Sequence, residues 1–194
     1  MKKSDKTRLL IIEKAAVLFN QKGFDGTSMR DIMDATGLTK GGIYGNFKKE
    51  DNDKKGVKEE IAVAAFEHAV KVVKKEVQQR TFVIEHALDK LKAVVYFYKE
   101  RVLNPPIVGG CPILNTSIDC DNSRPVLQKK VYEAIEYWIE RIIKTLEKGK
   151  EEGEIRKDVA ERDFAVLFIG TLEGGMLMSR ISKDNQQLWL NHAN

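Results

Sequence analysis

Two short helix signals that meet at Gly37 constrain this chain more than any other feature. The first helix can run over residues 28–36, with Thr27 or Ser28 placed to cap its free N-terminal amides. The glycine ends that helix, and a second helix can run over residues 40–46. Two helices joined by about three residues, with glycine at the corner, form a helix-turn-helix, whose second helix enters the DNA major groove.

A preceding helix is predicted over residues 7–21, with Gly23 at its C-terminal end. Its apolar residues fall on one helical face: Leu9, Ile12, Ala16 and Phe19. Three helices in the first 47 residues make a small core that needs support from the rest of the chain.

The residues of these helices match a known pattern at fixed spacing across roughly the first third of the chain. They are Ala15–Phe19, Gly23–Phe24, Thr27–Met29, Ile32, Ala35–Tyr44 and Asn46–Phe47. In them the chain resembles the TetR family of transcriptional regulators. The resemblance implies an all-α protein with a three-helix DNA-binding domain containing the helix-turn-helix, followed by a helical-bundle domain for effector binding and dimerisation. We place these domains at residues 1–66 and 67–194.

Positive charge is concentrated in the N-terminal third. Residues 1–58 hold 11 Lys and 2 Arg against 8 Asp and Glu, a net charge of +5, while the whole chain carries +4. A localised basic surface is typical of a module that neutralises phosphates. An ordinary solvated surface is the alternative.

Several residues of the motif are candidate DNA contacts. Thr27 and Thr39 stand at helix N-termini, where they can meet a phosphate or simply cap the helix. Lys40 can reach guanine and Asn46 adenine, and by resemblance Tyr44 donates to a phosphate. The full set is Thr27, Ser28, Thr39, Lys40, Gly41, Gly42, Tyr44, Asn46, Lys48 and Lys58.

The glycine pair Gly41-Gly42 costs about 1 kcal/mol per residue in a helix relative to alanine. Close approach of the backbone to the groove floor would explain the pair. Relief of packing against the first helix is the alternative.

The chain departs from the family pattern after Phe47. Residues 48–56 are mostly charged, and we interpret residues 49–56 as an insertion that forms a solvated loop. This leaves open which lysine makes the usual phosphate contact. The candidates are Lys48, Lys54, Lys55 and Lys58.

The remaining chain predicts a helical bundle. One helix runs from Ile61 to about residue 79 and the next over residues 82–101. Proline and glycine interrupt residues 103–113. A long helix then opens at Pro125, and Gly149 with Gly153 closes it.

The last helix signal, residues 164–178, is apolar on all sides and so predicts burial against both its own domain and a partner chain. At about 15 residues it is too short for a membrane span, and we expect no membrane partner. The expected homodimer contacts are Phe168, Thr171, Leu172, Gly174, Gly175 and Met178. A dimer presents half-sites about 34 to 36 Å apart, so the double-stranded DNA operator should be roughly palindromic.

The resemblance also implies a small effector inside the C-terminal domain. Candidate lining residues are mostly apolar, which favours a small apolar or aromatic effector. They are Phe66, Phe97, Tyr98, Leu114, Trp138, Met176 and Met178. Each can equally be a core residue.

The two cysteines allow a redox interpretation. Gly110–Pro112 resembles a Gly-Cys-Pro element of one subgroup of these regulators, and Cys111 and Cys120 are close enough in sequence to pair. Acidic neighbours of Cys120 disfavour its thiolate. No signal-peptide pattern is present, so we expect a reducing cytoplasm and cysteines with structural roles.

Enzymatic and metal-binding patterns are missing from the sequence. The three histidines are scattered without ligand spacing, and there is no phosphate loop or nucleophile elbow. We therefore expect no catalysis, metal or cofactor. Two functions remain: a repressor released from DNA by a small-molecule effector, and a helical small-molecule-binding protein whose DNA-binding head is weakened by the charged insertion.

Overall fold

The computed structural model describes residues 2–47, 54–120 and 124–182, without the side chains of Lys54 and Lys55. This part of the chain is helical and contains no strand, which confirms the all-α prediction. Its helices are α1 (Lys3–Lys22), α2 (Met29–Thr36), α3 (Lys40–Tyr44), α4 (Lys54–Thr81), α5 (Ala87–Leu103), α6 (Pro112–Cys120), α7 (Pro125–Glu151) and α8 (Glu161–Ser182).

The chain packs as two compact units. Unit 1 comprises residues 1–73 and 107–132, and unit 2 comprises residues 74–106 and 133–194. Helices α4 and α7 each contribute residues to both. A segment from the middle of the chain therefore packs with the N-terminal helices.

The core of unit 1 holds the helix-turn-helix in place. Ile11 of α1, Ile32 of α2, Ile43 of α3 and Ile61 of α4 are completely buried in one apolar cluster with Phe47. Each of the first four helices thus contributes at least one side chain to the same core. Gly37 adopts φ 68°, as expected for the glycine that ends α2.

Helix α6 was absent from the sequence prediction. The turn before it packs on the C-terminal end of α1: Asn20 Nδ2 donates to Val108 O at 3.0 Å and to Gly110 O at 3.2 Å. Asn115 of α6 donates back to Asn20 O at 2.9 Å. Gly109 has φ 113°, and a Cβ there would lie 2.6 Å from Asn20 O, so both conformation and space require glycine at this position.

The predicted starts of α4 and α5 are wrong. Helix α4 begins at Lys54, so residues 54–56 are helical and Gly56 is buried instead of lying in a solvated loop. Helix α5 begins at Ala87, because residues 82–86 leave the helix and Phe82 is 86 % exposed. The remainder of the predicted loop, residues 48–53, lies outside the described residues.

Unit 2 has its own apolar core, formed by Leu91, Ile139, Ile142, Leu146 and Ala165. These residues join α5, α7 and α8. The long helix α7 opens at Pro125 as predicted.

Candidate DNA-binding interface

Helix α3 presents its N-terminal turn to solvent. The Thr39 side chain accepts a hydrogen bond from Gly42 N at 3.3 Å and so caps the helix. Thr39, Lys40 and Gly41 are exposed, whereas Ile43 is completely buried and anchors the opposite face. Ile43 thus anchors the candidate recognition helix in the core, and the N-terminal turn of the helix is accessible to solvent.

The space around Gly41 and Gly42 distinguishes close approach to DNA from relief of packing as the reason for these glycines. A Cβ at Gly41 would meet nothing within 4 Å, and a Cβ at Gly42 would make ordinary contacts of 3.6 Å with Leu38 and Thr39. Neither residue has a positive φ. Packing inside the described unit therefore does not require glycine at either position, which disfavours the packing explanation.

Arg8 of α1 holds the C-terminal end of the recognition helix. Its Nη1 donates to Asn46 O, and its Nη2 donates to Glu60 Oε1 of α4 at 3.0 Å. The guanidinium carbon lies 4.0 Å from the centroid of the Phe47 ring. The role of Arg8 is not evident from the sequence, because its partners are 38 and 52 positions away.

The side chains of Asn46 and Tyr44 have intramolecular contacts. Asn46 Nδ2 donates to Gly42 O at 2.7 Å, which uses one of its two amide hydrogens. Tyr44 is half-buried and packs against the apolar cluster of unit 1, with Lys40 Nζ 5.7 Å from its ring centroid.

Ser28, not Thr27, caps α2. Its hydroxyl accepts from Asp31 N at 3.1 Å. Thr27 is completely buried and donates to Gly23 O at 2.7 Å, so its side chain has no exposed surface to offer a phosphate. We correct its assignment from phosphate contact to interior residue.

Asp31 completes the start of α2. Its carboxylate accepts from Ser28 N at 2.8 Å and from Lys22 Nζ at 2.7 Å. The hydrogen bond from Lys22, followed by those from Ser28, holds the pKa of Asp31 far below its usual range. Lys22 is therefore engaged within the protein.

The phosphate-binding lysine remains a prediction. Lys58 Nζ lies 4.2 Å from the centroid of the Phe24 ring, and burial lowers the pKa of its ammonium group. The structure thus places Lys58 against the loop between α1 and α2. Lys48 lies outside the described residues.

Arg30 is an exposed cation that sequence analysis did not single out. It is the second residue of α2, and within the described residues it has no ion pair. It stands two positions after the Ser28 cap. Its location on the helix-turn-helix makes it a further candidate for phosphate contact.

The candidate dimer residues of α8 divide into two groups. Thr171 and Met178 are exposed, and Phe168 and Gly174 are half-buried. Leu172 and Gly175 are buried within unit 2, so we correct their assignment to its interior. The exposed apolar face of α8 consists of Val166, Leu167, Leu177, Met178 and Ile181.

Within unit 2, the candidate effector residues do not all line one described cleft. Phe66 and Leu114 belong to unit 1, and the remaining five belong to unit 2. Phe97 and Trp138 line separate clefts. Met176 is completely buried, Met178 is 56 % exposed, and the Tyr98 hydroxyl donates to Glu173 Oε1 at 2.7 Å. The effector set therefore stays a prediction.

Three further properties bear on the predictions. Cys111 and Cys120 are buried and form no disulfide. Across the described ranges, no cluster of three His, Cys, Asp or Glu side chains could hold a metal ion.

Helix α8 spans 22 residues and is longer than predicted. Among the described helices, it alone has the length and composition to cross a membrane. This is weak evidence for a membrane span, because core helices of soluble proteins have the same length and composition.

Comparison with known proteins extends the resemblance over the whole chain. Residues 11–51 match the bacterial regulatory proteins of the tetR family, and residues 87–192 match the tetracyclin repressor-like C-terminal domain. The HTH-type transcriptional repressor DhaR of Mycobacterium sp. (strain GP1) is 22 % identical over 178 residues, which cover 92 % of this chain and 84 % of DhaR.

Two solved structures share both fold and sequence. A TetR transcriptional regulator from Chloroflexus aurantiacus J-10-FL is 38 % identical, with a TM-score of 0.89 and coverage of 97 % of this chain and 91 % of the other. A TetR-family regulator from Cytophaga hutchinsonii is 35 % identical, with a TM-score of 0.85 and coverage of 97 % and 90 %. This chain belongs to the TetR family of helix-turn-helix transcriptional regulators.

Proposed function

We propose that this chain is a dimeric repressor that binds a roughly palindromic operator and leaves it when a small molecule binds unit 2. The observation that carries the proposal is the exposed turn Thr39–Gly42. It combines an exposed lysine with two glycines that packing inside the described unit does not require. A surface that must approach another molecule closely has a reason to keep glycine.

The exposed apolar face of α8 supports the dimer. Leu167 is 70 % exposed and Ile181 is 76 % exposed, while Ala165 and Met176 on the same helix are completely buried. Large apolar side chains gathered on one exposed face are typical of an interaction site. A second copy of the chain is the occupant that the symmetry of such regulators provides.

The match across the helix-turn-helix favours the repressor over a binding protein with a weakened head. Residues 11–51 include the whole motif and the first residues of the charged segment. A cytoplasmic location and the lack of catalysis, cofactor and membrane partner belong to the same proposal. All relatives named above are transcription regulators.

The test is binding of the full-length protein to DNA from beside its own gene, measured by fluorescence anisotropy against a scrambled duplex of equal length. We expect preference for the native duplex and an affinity that falls by about 0.9 log unit per tenfold salt for each phosphate neutralised. Equal affinity for both duplexes would contradict the proposal. Lys40→Ala should weaken binding, and Lys129→Ala, an exposed lysine of α7, is the matched control.

A further inference from the structure

A cleft in unit 2 combines an apolar floor with a cationic rim. It lies between the C-terminal part of α4, α5 and the middle of α7, and its volume is about 180 Å³. Val77, Leu91 and Ile142 line it and are each less than a tenth exposed. Trp138 adds a half-buried aromatic wall.

Three cations line the same cleft: Lys74, Lys90 and Arg141. No carboxylate belongs to its lining. Within the described ranges, none of the three forms an ion pair. The recess next to it has one carboxylate, Glu85, beside Lys90, Arg141 and two further lysines. The region therefore has an excess of positive charge.

Lys74 is half-buried and lies beside an aromatic ring. Its Nζ lies 3.4 Å from the centroid of the Tyr137 ring, and burial lowers the pKa of the ammonium group. A π face compensates only part of the hydration that a part-buried ammonium loses. An anion in the cleft would complete the coordination of this group.

We propose that this cleft binds a small organic anion with an apolar body, such as an aromatic or short-chain carboxylate. The apolar body would lie on Val77, Leu91 and Trp138, and the carboxylate would face Lys74 and Arg141. This proposal specifies the effector of the proposed repressor and rests on that function. It differs from a purely apolar effector, because an apolar ligand would bury more of Lys74 without giving its ammonium group an anionic partner.

The size of the cleft restricts the ligand further. Its volume of about 180 Å³ is below the roughly 300 to 1,000 Å³ of sites that take drug-sized molecules. A compound with a single ring or a short aliphatic chain fits this limit. Benzoate, phenylacetate and hexanoate are therefore suitable probes.

The experiment is isothermal titration of the full-length protein with these three carboxylates, with benzamide as a neutral analogue and inorganic phosphate as an anion without an apolar body. We expect at least one carboxylate to bind with a dissociation constant in the millimolar range or lower. Benzamide and phosphate should bind at least about tenfold more weakly, because benzamide lacks the negative charge and phosphate lacks the apolar body. Absence of carboxylate binding, equal binding of benzamide, or binding of phosphate alone would overturn the proposal.

Substitutions locate the site. Lys74→Gln and Arg141→Gln should each weaken carboxylate binding about tenfold, whereas Lys75→Gln, an exposed lysine of α4 outside the cleft, should leave it unchanged. Unchanged affinity in both cleft variants would place the ligand elsewhere and overturn the proposal. Thermal melts of each variant confirm that it is folded.

Measuring operator binding tests the repressor function separately from the proposed ligand. Operator binding without carboxylate binding would overturn the ligand proposal and leave the repressor intact. Carboxylate binding by a protein that never prefers its own operator would support the cleft and contradict the repressor.

Discussion

The guanidinium carbon of Arg8 lies 4.0 Å from the centroid of the Phe47 ring, and the same side chain donates to Asn46 O. Helix α1 thereby holds the residues that follow the recognition helix. The third contact of Arg8, with Glu60 at 3.0 Å, attaches the same point to α4. One side chain thus connects α1 and α4 with the two residues that end the DNA-binding motif.

Arg8→Ala should lower the free energy of unfolding by about 1 to 2 kcal/mol. It removes charge-assisted hydrogen bonds and a cation–π contact, and the 40 % exposure of the Arg8 side chain limits their strength. Operator affinity should also fall, because α3 loses its C-terminal attachment. Urea denaturation and anisotropy measure the two effects.

Lys14→Ala is the control for Arg8, since it removes an exposed cation from the same helix. It should preserve stability and reduce affinity less than Arg8→Ala. Equal effects of the two substitutions would show that Arg8 contributes only its charge.

Gly41→Ala should separate stability from function. The free energy of unfolding should stay constant or rise by up to about 1 kcal/mol, because alanine favours the helix and its Cβ meets nothing within 4 Å. Operator affinity should fall about tenfold or more if the groove floor approaches this backbone. Thermal melts and anisotropy report the two quantities. A variant that binds its operator as tightly as the wild type would exclude close approach at Gly41.

The helix-turn-helix was predictable because its signals are local. The Ser28 cap, the Gly37 stop and the Thr39 cap lie within twelve residues, and the structure has all three. Helix α6 was missed because it is short and follows a glycine-rich turn. Pro112 at its first position was the available signal.

The candidate sites were less predictable because their residues come from distant parts of the chain. Arg8 meets partners 38 and 52 positions away. The cations of the unit 2 cleft come from three helices, and the sequence shows each as an ordinary surface charge. Tertiary packing buries part of Lys74, as it does part of Lys58 on the same helix, and burial lowers the pKa of both ammonium groups. A helical pattern alone does not contain that information.

Gly109→Ala should destabilise the protein by about 2 to 4 kcal/mol. The residue has φ 113°, and its Cβ would lie 2.6 Å from Asn20 O, so conformational strain and overlap add. Gly153→Ala is the matched control, because its φ is 76° but its Cβ would meet nothing within 4 Å. It should cost about 1 kcal/mol. Equal losses in urea denaturation would show that contact with α1 contributes nothing.

Low pH should remove the contribution of the Asp31 carboxylate to the free energy of unfolding. Its folded pKa lies below the ordinary value of 3.8 because Lys22 and Ser28 donate to the carboxylate, so the stabilisation is present above about pH 4 and is lost as pH falls further. The stability difference between wild type and Asp31→Asn should therefore be constant from about pH 5 to 7 and shrink below pH 4. A difference independent of pH in urea denaturation would contradict this assignment.

Leu167→Glu should dissociate the proposed dimer. Leu167 is 70 % exposed on the apolar face of α8, and a carboxylate buried in an interface without a partner costs several kcal/mol. Light scattering coupled to size exclusion should show a shift from dimer to monomer. Leu103→Glu is the control, because Leu103 is 66 % exposed at the end of α5 and lies outside that face. A Leu167→Glu variant that remains dimeric at the same concentration as the wild type would place the interface elsewhere on the chain. Dissociation should also weaken operator binding, because one protomer then reaches only one half-site.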